Sequence, residues 1–149
     1  MRILVVDDHE LVRRGICSVL TTEPSLTLCG EAVDGYDAIE KARALRPDII
    51  VMDVSMPRLN GLDATREIKR IFSEIEIVIV SQHEAPEMMR QAFNAGACGY
   101  VVKSSISADL LTAIARAKDR EIFIKPAPTD EDHPNLDFKE ILQRSAAYE

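Results

Sequence analysis

The chain has no tryptophan, aromatic residues make up 5% of it, and its 6 glycines gather nowhere into a nucleotide-binding loop. Neither G-x-x-x-x-G-K-[ST] nor G-x-G-x-x-G occurs, which excludes those two routes to holding a nucleotide. Positive charge is also short: 18 Lys and Arg stand against 25 Asp and Glu, a net charge of -7. That balance argues against a nucleic-acid surface, where a basic patch is expected. No apolar run approaches a membrane span and the N-terminus lacks a signal-peptide pattern, so the expected location is the cytoplasm, with no membrane partner. The 3 cysteines, Cys17, Cys29 and Cys98, are scattered and show no C-x-x-C spacing. They read as buried free thiols in a reducing compartment, not as a disulfide or zinc site.

What is present is enough for one core. The 149 residues are 46% apolar, ordinary for a globular protein with one domain and some length to spare. Two periodicities alternate along them. Short strand signals occur at Ile3 to Val6, Leu26 to Gly30, Asp48 to Val54, Ile75 to Val80 and Cys98 to Val102. Helical spacing follows each, beginning near Leu11, Tyr36, Leu62, Pro86 and Ser107, with Pro24 and Pro47 closing the first two helices. Strands alternating with helices predict an α/β fold: a doubly wound parallel sheet, right-handed crossovers and helices on both faces. The runs at Ile3, Ile49 and Ile75 are almost wholly apolar and belong at the centre of the sheet, whereas Leu26 to Gly30 alternates and suits a less buried position.

The polar residues of interest recur where strands end. Asp7 and Asp8 follow the first strand, Asp53 closes the third, Ser81 the fourth and Lys103 the fifth. In a parallel sheet these points share the carboxyl edge, where open α/β folds bind ligands. Adjacent strand residues face opposite ways, so Asp7 and Asp8 can serve one crevice only if the chain turns there. Three crowded carboxylates repel one another, and a divalent cation relieves this; an all-oxygen set suits Mg²⁺ better than zinc. Lys103 and the Ser81 hydroxyl suit an anion beside the metal, which is the equipment of phosphoryl transfer. Asp53 is then the acceptor carboxylate that forms an acyl phosphate.

The motifs VVDDHE, DVSMPRLNG, the serine after IVIV, and AGACGYVVKSS, in that order, resemble the receiver domains of response regulators. The resemblance is to the CheY-like kind, most nearly the NarL/FixJ class, and covers about residues 1–125. It implies a flavodoxin-like five-stranded sheet of order 2-1-3-4-5, with Asp53 as phosphoacceptor. Asp8 and Asp53 would bind Mg²⁺ directly, Asp7 largely through water, and the Ser55 backbone carbonyl would complete the protein ligands. Lys103 and Ser81 would hold the phosphoryl group, and Tyr100 matches an aromatic switch that turns inward with Ser81. Ser55, Gln82 and His83 occupy variable positions that tune rates, and Ser104 replaces a frequent proline after the lysine. The implied partners are a sensor histidine kinase or phosphotransfer protein and a downstream protein target, with a phosphorylation-dependent homodimer as a further form.

Blander readings stand beside these. Asp7 and Asp8 could simply cap the first helix. Tyr100 could be a packed strand aromatic, and His9 and His83 are better placed at the edge of the site than as ligands, lacking Cys or His partners at ligand spacing. An aspartyl-phosphate phosphatase of the haloacid-dehalogenase kind wants a second aspartate two residues past the nucleophile, where Ser55 stands. A module that never becomes phosphorylated would have no use for the full set of Asp7, Asp8, Asp53, Ser81 and Lys103. Residues 126–149 change character: prolines, 6 acidic residues and 2 basic ones read as a solvated acidic tail opposed to DNA phosphates. Phe138, Ile141 and Leu142 share one helical face, with Asp137 as a cap, for a short helix docked on the receiver or on a partner. The chain is therefore expected to act through protein contacts and not by binding DNA directly.

Overall fold

The computed structural model describes residues 1–124; the expectations for the acidic tail lie outside them. In chain order the elements are β1 (Arg2–Val6), α1 (Glu10–Leu20), β2 (Thr27–Ala32), α2 (Gly35–Leu45), β3 (Ile49–Asp53), α3 (Gly61–Ile71), β4 (Glu76–Ser81), α4 (Pro86–Ala95), β5 (Gly99–Val102), α5 (Ile106–Lys118) and β6 (Phe123–Ile124). The sheet is parallel throughout, in the order β2-β1-β3-β4-β5-β6.

The apolar runs sit where their composition requires. β1, β3 and β4 are interior strands, and every residue of β3 is buried. β2 is an outer strand with one neighbour and is half exposed along its length. The two-residue side-chain period splits the core into two layers. Leu4, Val6, Ile50, Met52, Ile77 and Ile79 meet α2, α3 and α4 on one face through Ala38, Ala42, Ile68, Ala92 and Phe93. Ile3, Val5, Ile49, Val51, Val78 and Val80 meet α1 and α5 on the other through Ile16, Leu20, Leu110 and Ile114.

One difference from the expected fold is the sixth strand. Phe123 and Ile124 pair in parallel with Gly99 and Tyr100, so the segment after α5 extends the sheet. The cause is burial: Phe123 is 7% exposed and joins the α5 layer, with the Arg116 guanidinium 5.8 Å from its ring centroid. The cysteines are free, as expected, but all three are half-buried and not fully enclosed.

Candidate functional site

The sheet delivers three carboxylates to its carboxyl edge. The Asp7 amide still donates to the Ala32 carbonyl at 3.1 Å, so Asp7 prolongs the β1–β2 ladder, and its side chain is fully buried. Its Oδ1 accepts from the His9 amide at 2.8 Å, which closes a tight turn immediately after the strand. That turn lets the adjacent Asp8 face the same crevice. Asp53, the last residue of β3, lies in register with Val80 and is 3% exposed. The N-cap of α1 is His9, without a side-chain cap bond, so neither aspartate serves as its cap.

Lys103 begins a short 3-10 turn, Lys103–Ser105, between β5 and α5. Its Nζ lies 3.0 Å from Asp7 Oδ2 and 3.1 Å from Asp53 Oδ1, bridging two carboxylates from different strands. Burial alone would lower the lysine pKa, but its contacts with Asp7 and Asp53 carry it upward, so the ammonium is secure. Burial, followed by the charge of Asp7, pushes the Asp53 carboxyl up to about 6 despite Lys103.

One ammonium does not neutralise three carboxylates. Asp53 Oδ2 is buried without a hydrogen bond, and the buried Asp7 Oδ2 and Asp8 Oδ1 have only their ion contacts with Lys103 and His9. Single ligand atoms from Asp7, Asp8, His9 and Asp53 all lie within 4.8 Å of one another. Anionic oxygen crowded to this density fits a hard divalent cation such as Mg²⁺. His9 stands closer to the cluster than an edge position implies, with Nδ1 3.1 Å from Asp8 Oδ1 and 3.4 Å from Asp7 Oδ1, although its side chain is 65% exposed.

Ser81 ends β4, paired with Val102, and is 1% exposed. Its Oγ accepts from the His83 amide at 3.1 Å, and the Tyr100 hydroxyl donates to the His83 carbonyl at 2.6 Å. Ser81 and Tyr100 thus hold the two backbone groups of one residue, His83, at the start of the β4–α4 loop. Tyr100 is 1% exposed: the ring already points inward. Gln82, His83 and Ser55 are exposed at the rim. The loop after Asp53 closes where Gly61 donates to the Val54 carbonyl at 2.9 Å, and a Cβ on Gly61 would collide with the Asp53 carbonyl. The contacts of His9 with Asp7 and Asp8 and an ion pair between Asp34 and Arg58 were not singled out from sequence. For Asp34 a signal existed, an aspartate before Gly35 and three residues before Asp37, the pattern of a helix cap.

A doubly wound sheet with this cluster and lysine at its carboxyl edge defines a receiver module of two-component signalling. Residues 3–115 match the family model of the response regulator receiver domain, and the chain belongs to that family. It is 39% identical over 126 residues to the response regulator GacA of Pseudomonas viridiflava, covering 85% of this chain and 59% of that one. With the response regulator VraR of Staphylococcus epidermidis it shares 35% identity over 126 residues, 85% of this chain and 60% of that one. It therefore spans about 60% of the length of these relatives. A two-component response regulator of the LuxR family from Aurantimonas sp. SI85-9A1 superposes with a TM-score of 0.81 at 32% identity, covering 98% of this chain and 97% of that one. The receiver domain of a NarL regulator from Mycobacterium tuberculosis gives 0.75 at 30% identity, covering 79% of this chain and 95% of that one. The protein is a receiver of two-component response regulators, close to the NarL and LuxR kinds.

Proposed function

We propose that Asp53 accepts a phosphoryl group from a histidine-kinase phosphohistidine in a Mg²⁺-dependent reaction. The observation that carries this is the position of Lys103: its ammonium bridges Asp7 and Asp53 while the second Asp53 oxygen stays buried and unbonded. Asp8, Asp53 and the Ser55 carbonyl would hold the metal, with Asp7 acting largely through water. When bound, the metal supplies charge neutralisation for the phosphoryl oxygens. An Asp53 oxygen attacks phosphorus, the P–N bond to the donor imidazole breaks, and its electron pair leaves with the imidazole. Lys103 compensates negative charge on the transferred group and Ser81 donates its hydroxyl to it. To do so, Ser81 redirects its hydroxyl toward the phosphoryl oxygens, next to the His83 peptide it already holds.

The product carries added negative charge, about -1.5 to -2, into a crevice that already holds three carboxylates. The response runs through the backbone of His83, whose amide Ser81 holds and whose carbonyl Tyr100 holds, toward the β4–α4 loop and β5. The output is proposed to be a protein contact, a homodimer or a downstream target, with no direct binding of DNA by this chain, whose net charge is -7. Intact mass after incubation with acetyl phosphate and Mg²⁺ tests the reaction. One phosphoryl adduct is expected on the wild-type chain and none on Asp53→Asn; an equal adduct on both overturns the assignment of Asp53. Salt-dependent, sequence-specific DNA binding by the purified chain would overturn the output reading.

A further inference from the structure

The β3–α3 loop has an unusual anchor. Asp53 is fixed by sheet pairing, but Ser55 lies beyond the end of β3, where no strand holds it. Further along, the Leu59 amide donates to the Pro57 carbonyl at 2.9 Å around Arg58, whose φ is +68°. An i to i+2 bond about a positive φ is the rare and strained γ-turn, and a non-glycine residue there needs surrounding contacts to hold it. Those contacts come from α2. The Arg58 guanidinium pairs with Asp34 Oδ2, while Asp34 Oδ1 caps α2 by accepting from the Asp37 amide at 2.8 Å. Gly35 donates to the Leu59 carbonyl at 3.0 Å and stands so close to Leu59 that a Cβ would clash. The Asp34 side chain is 2% exposed and that of Arg58 69%, so the arginine reaches in from solvent to a buried carboxylate.

We propose that Asp34 and Arg58 are a positioning pair that holds the β3–α3 loop in its metal-binding shape and thereby sets the Mg²⁺ affinity of this receiver. The inference rests on the metal reading given above, in which the Ser55 carbonyl is a ligand. One carboxylate serves two elements: it caps α2 and fixes the strained turn of the neighbouring loop. Losing the pair frees Arg58 to leave the positive-φ region, and the loop then samples shapes in which the carbonyl faces away. Outer partners that orient a ligand commonly alter metal affinity by tenfold or more when removed.

The test is calorimetric titration of Mg²⁺ into the full chain for wild type, Asp34→Asn, Arg58→Gln and the double variant, with melting temperatures in metal-free buffer. Asp34→Asn retains a good capping side chain and Arg58→Gln alters an exposed residue, so all four proteins should fold. Each single variant is expected to raise the Mg²⁺ Kd roughly tenfold, and the double variant no further than either single one. Metal-free melting temperatures should differ by only a few degrees. A Kd within twofold of wild type in both single variants, or multiplicative effects in the double variant, would overturn the proposal. A wild-type chain that binds no Mg²⁺ would overturn the metal reading itself, and this inference with it.

Discussion

A buried acid with a raised pKa opposes folding once it ionises. For Asp53 the folded value of about 6 exceeds the ordinary 3.8, so between these values the folded state holds more protons than the unfolded one. Stability therefore falls as pH rises through that window, and the full cost is present above pH 6. In Mg²⁺-free buffer, Asp53→Asn should stabilise the protein at pH 7 by about 1–3 kcal/mol, and the gain should vanish toward pH 4. Thermal melts at the two pH values check this; a gain that is equal at both would place the strain elsewhere. Tyr100 makes a second test at this scale. Its hydroxyl donates to the His83 carbonyl, so Tyr100→Phe leaves that acceptor without this bond and should cost about 1 kcal/mol. It should also speed amide exchange in the β4–α4 loop, which the hydroxyl helps to fix. Exchange unchanged between Ser81 and Pro86 would remove Tyr100 from the coupling.

Among the elements, β3 and α3 form the joint that carries the chemistry. Gly61 starts α3, closes the loop on the Val54 carbonyl and lies against the Asp53 carbonyl. A methyl at this position meets backbone, which cannot swing aside as a side chain can. Gly61→Ala should therefore cost about 1–3 kcal/mol and displace the end of β3, lowering the yield of phosphorylated protein. Melts and intact mass check both effects; wild-type phosphorylation with unchanged stability would show that the joint tolerates the atom. The strand-end positions of Asp53, Ser81 and Lys103 were legible in the sequence because apolar runs terminate abruptly at each of them. The turn that gathers Asp7 with Asp8 was legible only as a requirement. Its cause, the His9 amide bonding to Asp7, depends on backbone geometry that no periodicity reports. The link from Asp34 to Arg58 joins residues 24 apart in sequence through one ion pair, and a pattern of caps and runs does not encode such a contact. β6 escaped for another reason. A strand of two residues has no alternation to detect, and its pairing comes from the site offered by β5 and from burial of Phe123.

At the scale of the whole molecule, charge and packing divide the chain at different places. Residues 126–149 carry a net charge of -4 out of -7, so the remainder is only mildly acidic. The sheet, however, reaches Ile124, and the buried ring of Phe123 belongs to the core under α5. The sheet and the core thus extend to β6, although the family match ends at residue 115. Two changes near this boundary should have opposite outcomes. Both core layers and the carboxylate cluster are assembled by residues up to Ile124, so on deletion of residues 127–149 Asp53 should still be phosphorylated to the wild-type extent. Phe123→Ala empties a core position and should cost about 3 kcal/mol, roughly 10 °C in melting temperature, while the distant carboxylate cluster keeps its chemistry below the melt. Intact mass with acetyl phosphate and thermal melts on both variants decide the matter. Loss of phosphorylation on deletion would mean that the acidic segment takes part in the reaction. A Phe123→Ala protein as stable as wild type would mean that β6 is an appendage and that the folding unit ends with α5.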